Sequence, residues 1–151
     1  MKPIISVNTK KFERYLKEQN FSTQELLDIR GAGARVIINN QRTLVPKAST
    51  ATQQSINSHI IEATATRVED EVGAETLYAP YIEYGTGIYA EAGDGRKGGW
   101  RYKDTKGNWH FTLGMKPQPF IRPSIEGSNG KEVMSALTAA FELTIAGKKN
   151  G

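Results

Sequence analysis

Few side chains in this 151-residue sequence are of types that do acid–base, nucleophilic or metal chemistry, and their spacing argues against an active site. Histidine occurs twice, at His59 and His110, and cysteine not at all, which removes disulfides and thiolate metal ligands. His59 lies in a strand-like run and His110 in a hairpin-like one, so both read as strand-surface residues rather than a catalytic pair. Neither H-E-x-x-H nor G-x-S-x-G is present. Glu69-Asp70-Glu71 is the densest carboxylate group, but consecutive residues in a turn point apart, and solvated charge accounts for them. Gly93-Asp-Gly-Arg-Lys-Gly98 has the form G-x-G-x-x-G. A dinucleotide site needs a helix after that motif to meet the pyrophosphate, and a strand pattern from Trp100 follows instead. Gly127-Ser-Asn-Gly130-Lys131 fails as a P-loop because its glycine spacing is wrong and Glu132 replaces the hydroxyl residue. The expectation is a non-enzyme with no catalytic, cofactor-binding or metal-binding residue.

What remains is stacking and charge. Trp100 and Tyr102 alternate with Arg101 and Lys103, and Trp109 and Phe111 alternate with Asn108 and His110. Asp104-Thr-Lys-Gly107 between them has hairpin turn chemistry, with Gly107 at the left-handed position. The four aromatic rings are expected on one face, buried against a helix. Exposed beside Arg101, Lys103 and Lys106, they would instead form a platform for single-stranded nucleic acid, the alternative function. The net charge of +4 is strongly segregated along the chain: +5 over residues 1–50, −7 over 51–95, +6 over 96–122 and zero over 123–151. Such blocks pair within a fold or between identical subunits meeting head to tail, and Glu69, Asp70 and Glu71 are the candidate subunit contact. With so small a basic excess, specific nucleic-acid binding is not expected.

The elements that carry these residues follow from periodicity. Residues 9–20 read as a short helix, with Thr9 as cap. Ser22 and Glu25 form a capping box for a second helix with Leu26, Ile29, Gly33, Val36, Ile37 and Leu44 as its apolar stripe, ended by Pro46. Gly31 and Gly33 either weaken that helix or let another element approach closely. Residues 47–55 read as a loop, Ile56 to Val68 as a strand, Glu69-Asp70 as a turn and Glu71 to Leu77 as the returning strand. A last helix starts near Asn129, with Val133, Leu137, Ala140, Phe141 and Ile145 along one side. One α+β domain over residues 1–151 is expected, with two amino-terminal helices and a carboxyl-terminal helix on a mainly antiparallel sheet carrying a long aromatic hairpin. The Gly-rich loop at about 88–99 is expected to be mobile and the tail at about 148–151 to fray. No run is long enough for a membrane helix, and the absence of cysteine suits a reducing cytosol.

Two further segments are stiff rather than reactive. Tyr78-Ala-Pro80-Tyr81-Ile-Glu83-Tyr84-Gly85-Thr86-Gly87 sets tyrosines around one carboxylate and then turns sharply at glycines. Met115-Lys-Pro117-Gln-Pro119-Phe120-Ile-Arg122-Pro123-Ser124 sets prolines around one phenylalanine. Glu83 and Arg122 are expected to be structural charges that pair with each other. In this order, with the Trp100–Phe111 hairpin between them and a helix after, the segments resemble the minor neck or tail-completion proteins of long-tailed bacteriophages over roughly residues 46 to 145. The chain departs from that pattern after Pro46, where Lys47-Ala-Ser-Thr-Ala-Thr52 stands in place of P-x-D-T-G-x-L-R. The resemblance implies a structural role at the head–tail junction of a virion, with assembly in the host cytoplasm. It further implies a ring of subunits contacting head-closure, tail-terminator or tail-tube proteins.

Overall fold

The computed structural model describes Arg14 and residues 17–149. Most of the expected first helix lies outside these residues, although Arg14 and 17–19 are helical. Four α-helices, four strands and two short 3-10 turns follow. Helix α1 spans Thr23–Leu44, α2 Thr50–Ser55, α3 Ala79–Tyr84 and α4 Gly127–Lys149. Strands β1 (Ile56–Ala63) and β2 (Val68–Ala74) form one antiparallel pair, and β3 (Trp100–Lys103) and β4 (Trp109–Thr112) form another. The fold is α+β. The strands are antiparallel as expected but make two separate two-stranded sheets rather than one.

The capping box opens α1 as read. Ser22 Oγ accepts from the Glu25 N–H, and Glu25 Oε2 accepts from the Ser22 N–H at 2.7 Å. Glu25 also receives Lys148 Nζ at 2.9 Å, which ties the start of α1 to the end of α4. Lys148 and the Ser22 N–H hold the Glu25 carboxyl below its ordinary value. Lys148 and Lys149 are the last two residues of α4. α4 begins at Gly127, two residues before Asn129, whose side chain donates to the Pro123 carbonyl at 2.8 Å.

The α1–α4 contact explains one of the two helix glycines. A Cβ on Gly33 would lie 2.8 Å from Leu137 Cδ2 and 2.9 Å from Leu137 Cγ. One on Gly31 would meet only Arg35 Nη1, at 3.5 Å. Below this contact Phe21 stacks on Phe141 at 5.4 Å between ring centroids, beside Leu26 and Ile145. Gly31→Ala is expected to stabilise by up to about 1 kcal/mol through helix propensity alone. Gly33→Ala is expected to lose that gain and more, because the Leu137 side chain must leave its packed position or the helices must move apart. Urea unfolding midpoints of the two variants check the opposite signs.

The stripe of α1 differs from expectation at its end. Leu44 is exposed, while Gln41 is buried and Arg30 faces inward. Arg30 Nε donates to Asp70 Oδ2 at 2.7 Å and Nη2 to Ser58 Oγ at 3.0 Å, fixing β1–β2 across α1. The turn of that hairpin also lies earlier than read. Thr64 Oγ1 accepts from the N–H groups of Thr66 and Arg67 and donates to the Arg67 carbonyl, so residues 64–67 make the turn. Glu69, Asp70 and Glu71 consequently sit inside β2, with alternating side chains. Residues 50–55 form α2 instead of a loop, held by Thr52, whose hydroxyl meets that of Thr76 at 3.1 Å. The main core gathers Val45, Ile56, Ala79, Ile82 and Phe120, where the chain after β2 returns to α1.

Candidate functional site

Glu83 is the meeting point of the two stiff segments. The first of them forms a helix, α3, with Pro80 in its first turn. Helical spacing sends Ala79, Ile82 and Glu83 inward and leaves Tyr78, Tyr81 and Tyr84 in a row outside. Glu83 is 1% exposed. Its Oε2 accepts from the Phe120 N–H at 2.7 Å and the Ile121 N–H at 2.9 Å. Its Oε1 accepts from the Arg122 N–H at 3.2 Å and from Arg122 Nε at 2.9 Å. The expected Glu83–Arg122 pair is thus present, and the sequence reading missed the three backbone donors beside it.

The extended run through Pro117 and Pro119 supplies those donors by ending in a 3-10 turn, Arg122–Ile125, with Pro123 inside it. Phe120 is fully buried against Ile82, and Ser124 is buried with its carbonyl accepting from Asn40 Nδ2 at 3.2 Å. Burial alone would push the Glu83 carboxyl up, but the Ile121 and Phe120 N–H groups and the Arg122 guanidinium outweigh it and leave the carboxyl below its ordinary value. The outer nitrogens of Arg122 reach Glu91, Nη1 to Oε1 at 2.9 Å and Nη2 to Oε2 at 2.7 Å. The guanidinium carbon lies 5.1 Å from the Tyr84 ring centroid. Glu91 first and Glu83 second raise the Arg122 pKa further above its usual value.

Glu91 belongs to the loop expected to be mobile, yet its side chain is clamped by Arg122 and its N–H donates to the Tyr84 carbonyl at 2.9 Å. Beside it Gly85 and Gly87, both with positive φ, let the chain cross the segment Leu113–Pro117 at contact distance. Thr86 fastens the crossing: its N–H donates to the Met115 carbonyl, and its hydroxyl accepts from the Met115 N–H, each at 2.9 Å.

Strands β3 and β4 lie in the chain between the two sides of this crossing, and here one expectation fails. Gly107, at φ +90°, closes the turn with its N–H on the Asp104 carbonyl. That loop pairs Trp100 with Thr112, Arg101 with Phe111, Tyr102 with His110 and Lys103 with Trp109. Opposed residues share a face, so the aromatics divide two and two between the faces rather than sharing one. Nor are they buried: Trp109, Phe111 and Tyr102 are exposed, and Trp100 is half-buried. Tyr102 stacks on His110, which contacts Asp104 Oδ2 at 2.9 Å. His110 and then the Asn108 N–H hold the Asp104 carboxyl below its ordinary value.

The acidic triplet is likewise divided. Asp70 faces α1 and is spent on Arg30, which removes it as a subunit contact. Glu69 and Glu71 lie on the opposite face, with Glu69 beside Arg67. Among the described residues no group of three His, Asp or Glu side chains could hold a metal ion, and no helix is long and apolar enough to cross a membrane. One buried carboxylate locks two chain segments together beside a row of exposed tyrosines. No family model matches this chain, and neither curated proteins nor solved structures give a significant match.

Proposed function

We propose that this chain is a structural subunit of a bacteriophage virion, of the neck or tail-completion type, which completes the tail or joins it to the DNA-filled head. Support comes from the resemblance of the two stiff segments and the hairpin, and one structural observation carries it. The segments that bear the resemblance are locked together through Glu83, and the surface around them exposes Tyr78, Tyr81, Tyr84, Ile88, Tyr89 and Leu113. Apolar and aromatic exposure on this scale suits a surface that other subunits cover. In this reading the protein has no turnover, works in the virion after assembly in the host cytoplasm, and contacts other neck or tail proteins and its own copies in a ring.

The test is electron microscopy of lysates from a phage lacking this chain, with complementation from a plasmid. DNA-filled heads and unjoined tails are the expected result. Normal infectious virions, or empty heads from failed packaging, would overturn the reading. A nucleic-acid module is the second reading, favoured by the exposure of Trp109 and Phe111 beside Arg101 and Lys103.

A further inference from the structure

The two hairpins present faces of opposite chemistry. On β3–β4 the register places Arg101, Lys103, Trp109 and Phe111 together. Trp109 and Phe111 are 67% and 66% exposed, and Lys103 Nζ lies 5.9 Å from the centre of the Trp109 ring. Asp104, the one carboxylate of residues 96–122, is engaged by His110.

On β1–β2 one face turns Ser58 and Asp70 toward Arg30 of α1. The other carries His59, Glu71 and Gly73 and, past a bulge at Ile61, Glu62 and Glu69. Glu75 continues it, beside His59. Arg67 lies near both Glu62 and Glu69, and the carboxylates of Glu62, Glu69, Glu71 and Glu75 follow one another along this face. Its floor is bare: a Cβ on Gly73 would meet nothing within 4 Å. A strand glycine of this kind is a seat for an aromatic ring. The protein already uses that packing within itself, since a Cβ on Gly99 would lie 2.2 Å from Phe111 Cζ.

We propose that the β3–β4 face of one copy seats on the outer β1–β2 face of a second copy, with Trp109 over Gly73 and Arg101 and Lys103 among the carboxylates. The two faces are different patches of one chain, so the contact is heterologous and repeats head to tail, toward a ring if the rotation closes. Opposite charge sets its orientation, and a bare glycine under an exposed indole gives it an apolar centre. The inference rests on the reading of the chain as an assembly subunit and names the surfaces by which its copies meet.

Sedimentation velocity of the full chain, at low ionic strength and rising protein concentration, tests it. Wild type is expected to self-associate, and more weakly as salt rises. Arg101→Glu with Lys103→Glu, and separately Glu69→Lys with Glu75→Lys, should each weaken association by roughly tenfold or more. Mixing the two variants should restore it, because every hairpin then finds an acceptor of opposite sign. Gly73→Thr should keep or raise the melting temperature, since threonine suits a strand, and should still weaken association. Circular dichroism of each variant separates misfolding from lost docking.

A wild type that stays monomeric throughout overturns the proposal, as does association untouched by either reversal, or a mixture that fails to recover. Tight capture of a single-stranded oligonucleotide at about 150 mM salt, abolished by the hairpin reversal, would assign the basic face to nucleic acid and likewise overturn it. The lysate experiment judges the virion role separately: normal virions without the chain defeat that role whatever the sedimentation shows.

Discussion

Glu83→Ala is expected to cost about 3–5 kcal/mol, a large share of the roughly 5–15 kcal/mol by which a domain of this kind is stable. The carboxylate is the acceptor for three consecutive backbone N–H groups, of Phe120, Ile121 and Arg122. Removing it strands those donors beside a fully buried phenylalanine, where water cannot replace it without opening the core. Arg122→Met should cost less, about 1.5–3 kcal/mol for a hydrogen bond to a charged group. It leaves the three backbone bonds in place, and the guanidinium it removes is partly solvated already. Urea midpoints of the two variants give the order. If Arg122→Met proved the worse, the ion pair rather than the backbone bonds would be what holds the segments together.

The same arrangement sets a pH dependence. The folded pKa of Glu83 is depressed below the ordinary 4.5. Its contribution is therefore complete above about pH 4.5 and is lost as pH falls through the lower, folded value. Glu25, Glu91 and Asp104 are depressed too, so the whole protein should weaken in acid. The part due to Glu83 is isolated by difference: the penalty of Glu83→Gln should be constant near neutrality and shrink progressively in acid. A penalty independent of pH down to acid unfolding would mean that the carboxylate is not ionised in the folded protein.

How much of this was legible in sequence depends on the range of the interaction. Ser22 and Glu25 form the box their spacing announces, because both partners lie in one turn. The Glu83–Arg122 pair was legible as chemistry, since two charges set among aromatic and proline residues need a partner. The three backbone donors were not, because they depend on how residues 117–122 pass α3. Glu91 carried no signal at all, since nothing in a Gly-rich loop says that its carboxylate will face a guanidinium 31 residues away. Arg30 and Asp70, 40 residues apart, are the same case.

The hairpin error had a different origin. Counting outward from Gly107 gives the register, and with it the division of aromatics between faces, whereas alternation within each strand does not say which residues of the two strands share a face. Glu69-Asp70 has the polarity of a turn, but the turn itself is built on the hydroxyl of Thr64, which the sequence does not distinguish from its strand neighbours. Helix α2 is too short and too polar for any period to show.

Gly87→Ala should be the second large loss, and a nearby glycine supplies its control. Gly87 and Gly93 have similar positive φ, 61° and 71°, so alanine meets comparable backbone strain at both, about 1–2 kcal/mol. Their surroundings differ. A Cβ on Gly93 meets nothing within 4 Å, whereas one on Gly87 would lie 2.0 Å from the Leu113 carbonyl oxygen and 2.8 Å from Gly114 Cα. Those are backbone atoms and cannot rotate away. The strands of chain must part, which breaks the bond from the Ile88 N–H to the Leu113 carbonyl, at 3.0 Å, and strains the Thr86–Met115 bonds. The total for Gly87→Ala is then about 3 kcal/mol or more, against strain alone for Gly93→Ala. Hydrogen exchange should show the Thr86, Ile88 and Met115 amides losing protection in the first variant and keeping it in the second. The crossing joins the two ends of the segment that carries β3–β4, so the Gly87 variant should lose association even under conditions where its helices remain folded. Equal costs at the two glycines would mean that the crossing relaxes freely and does not hold the hairpin in place.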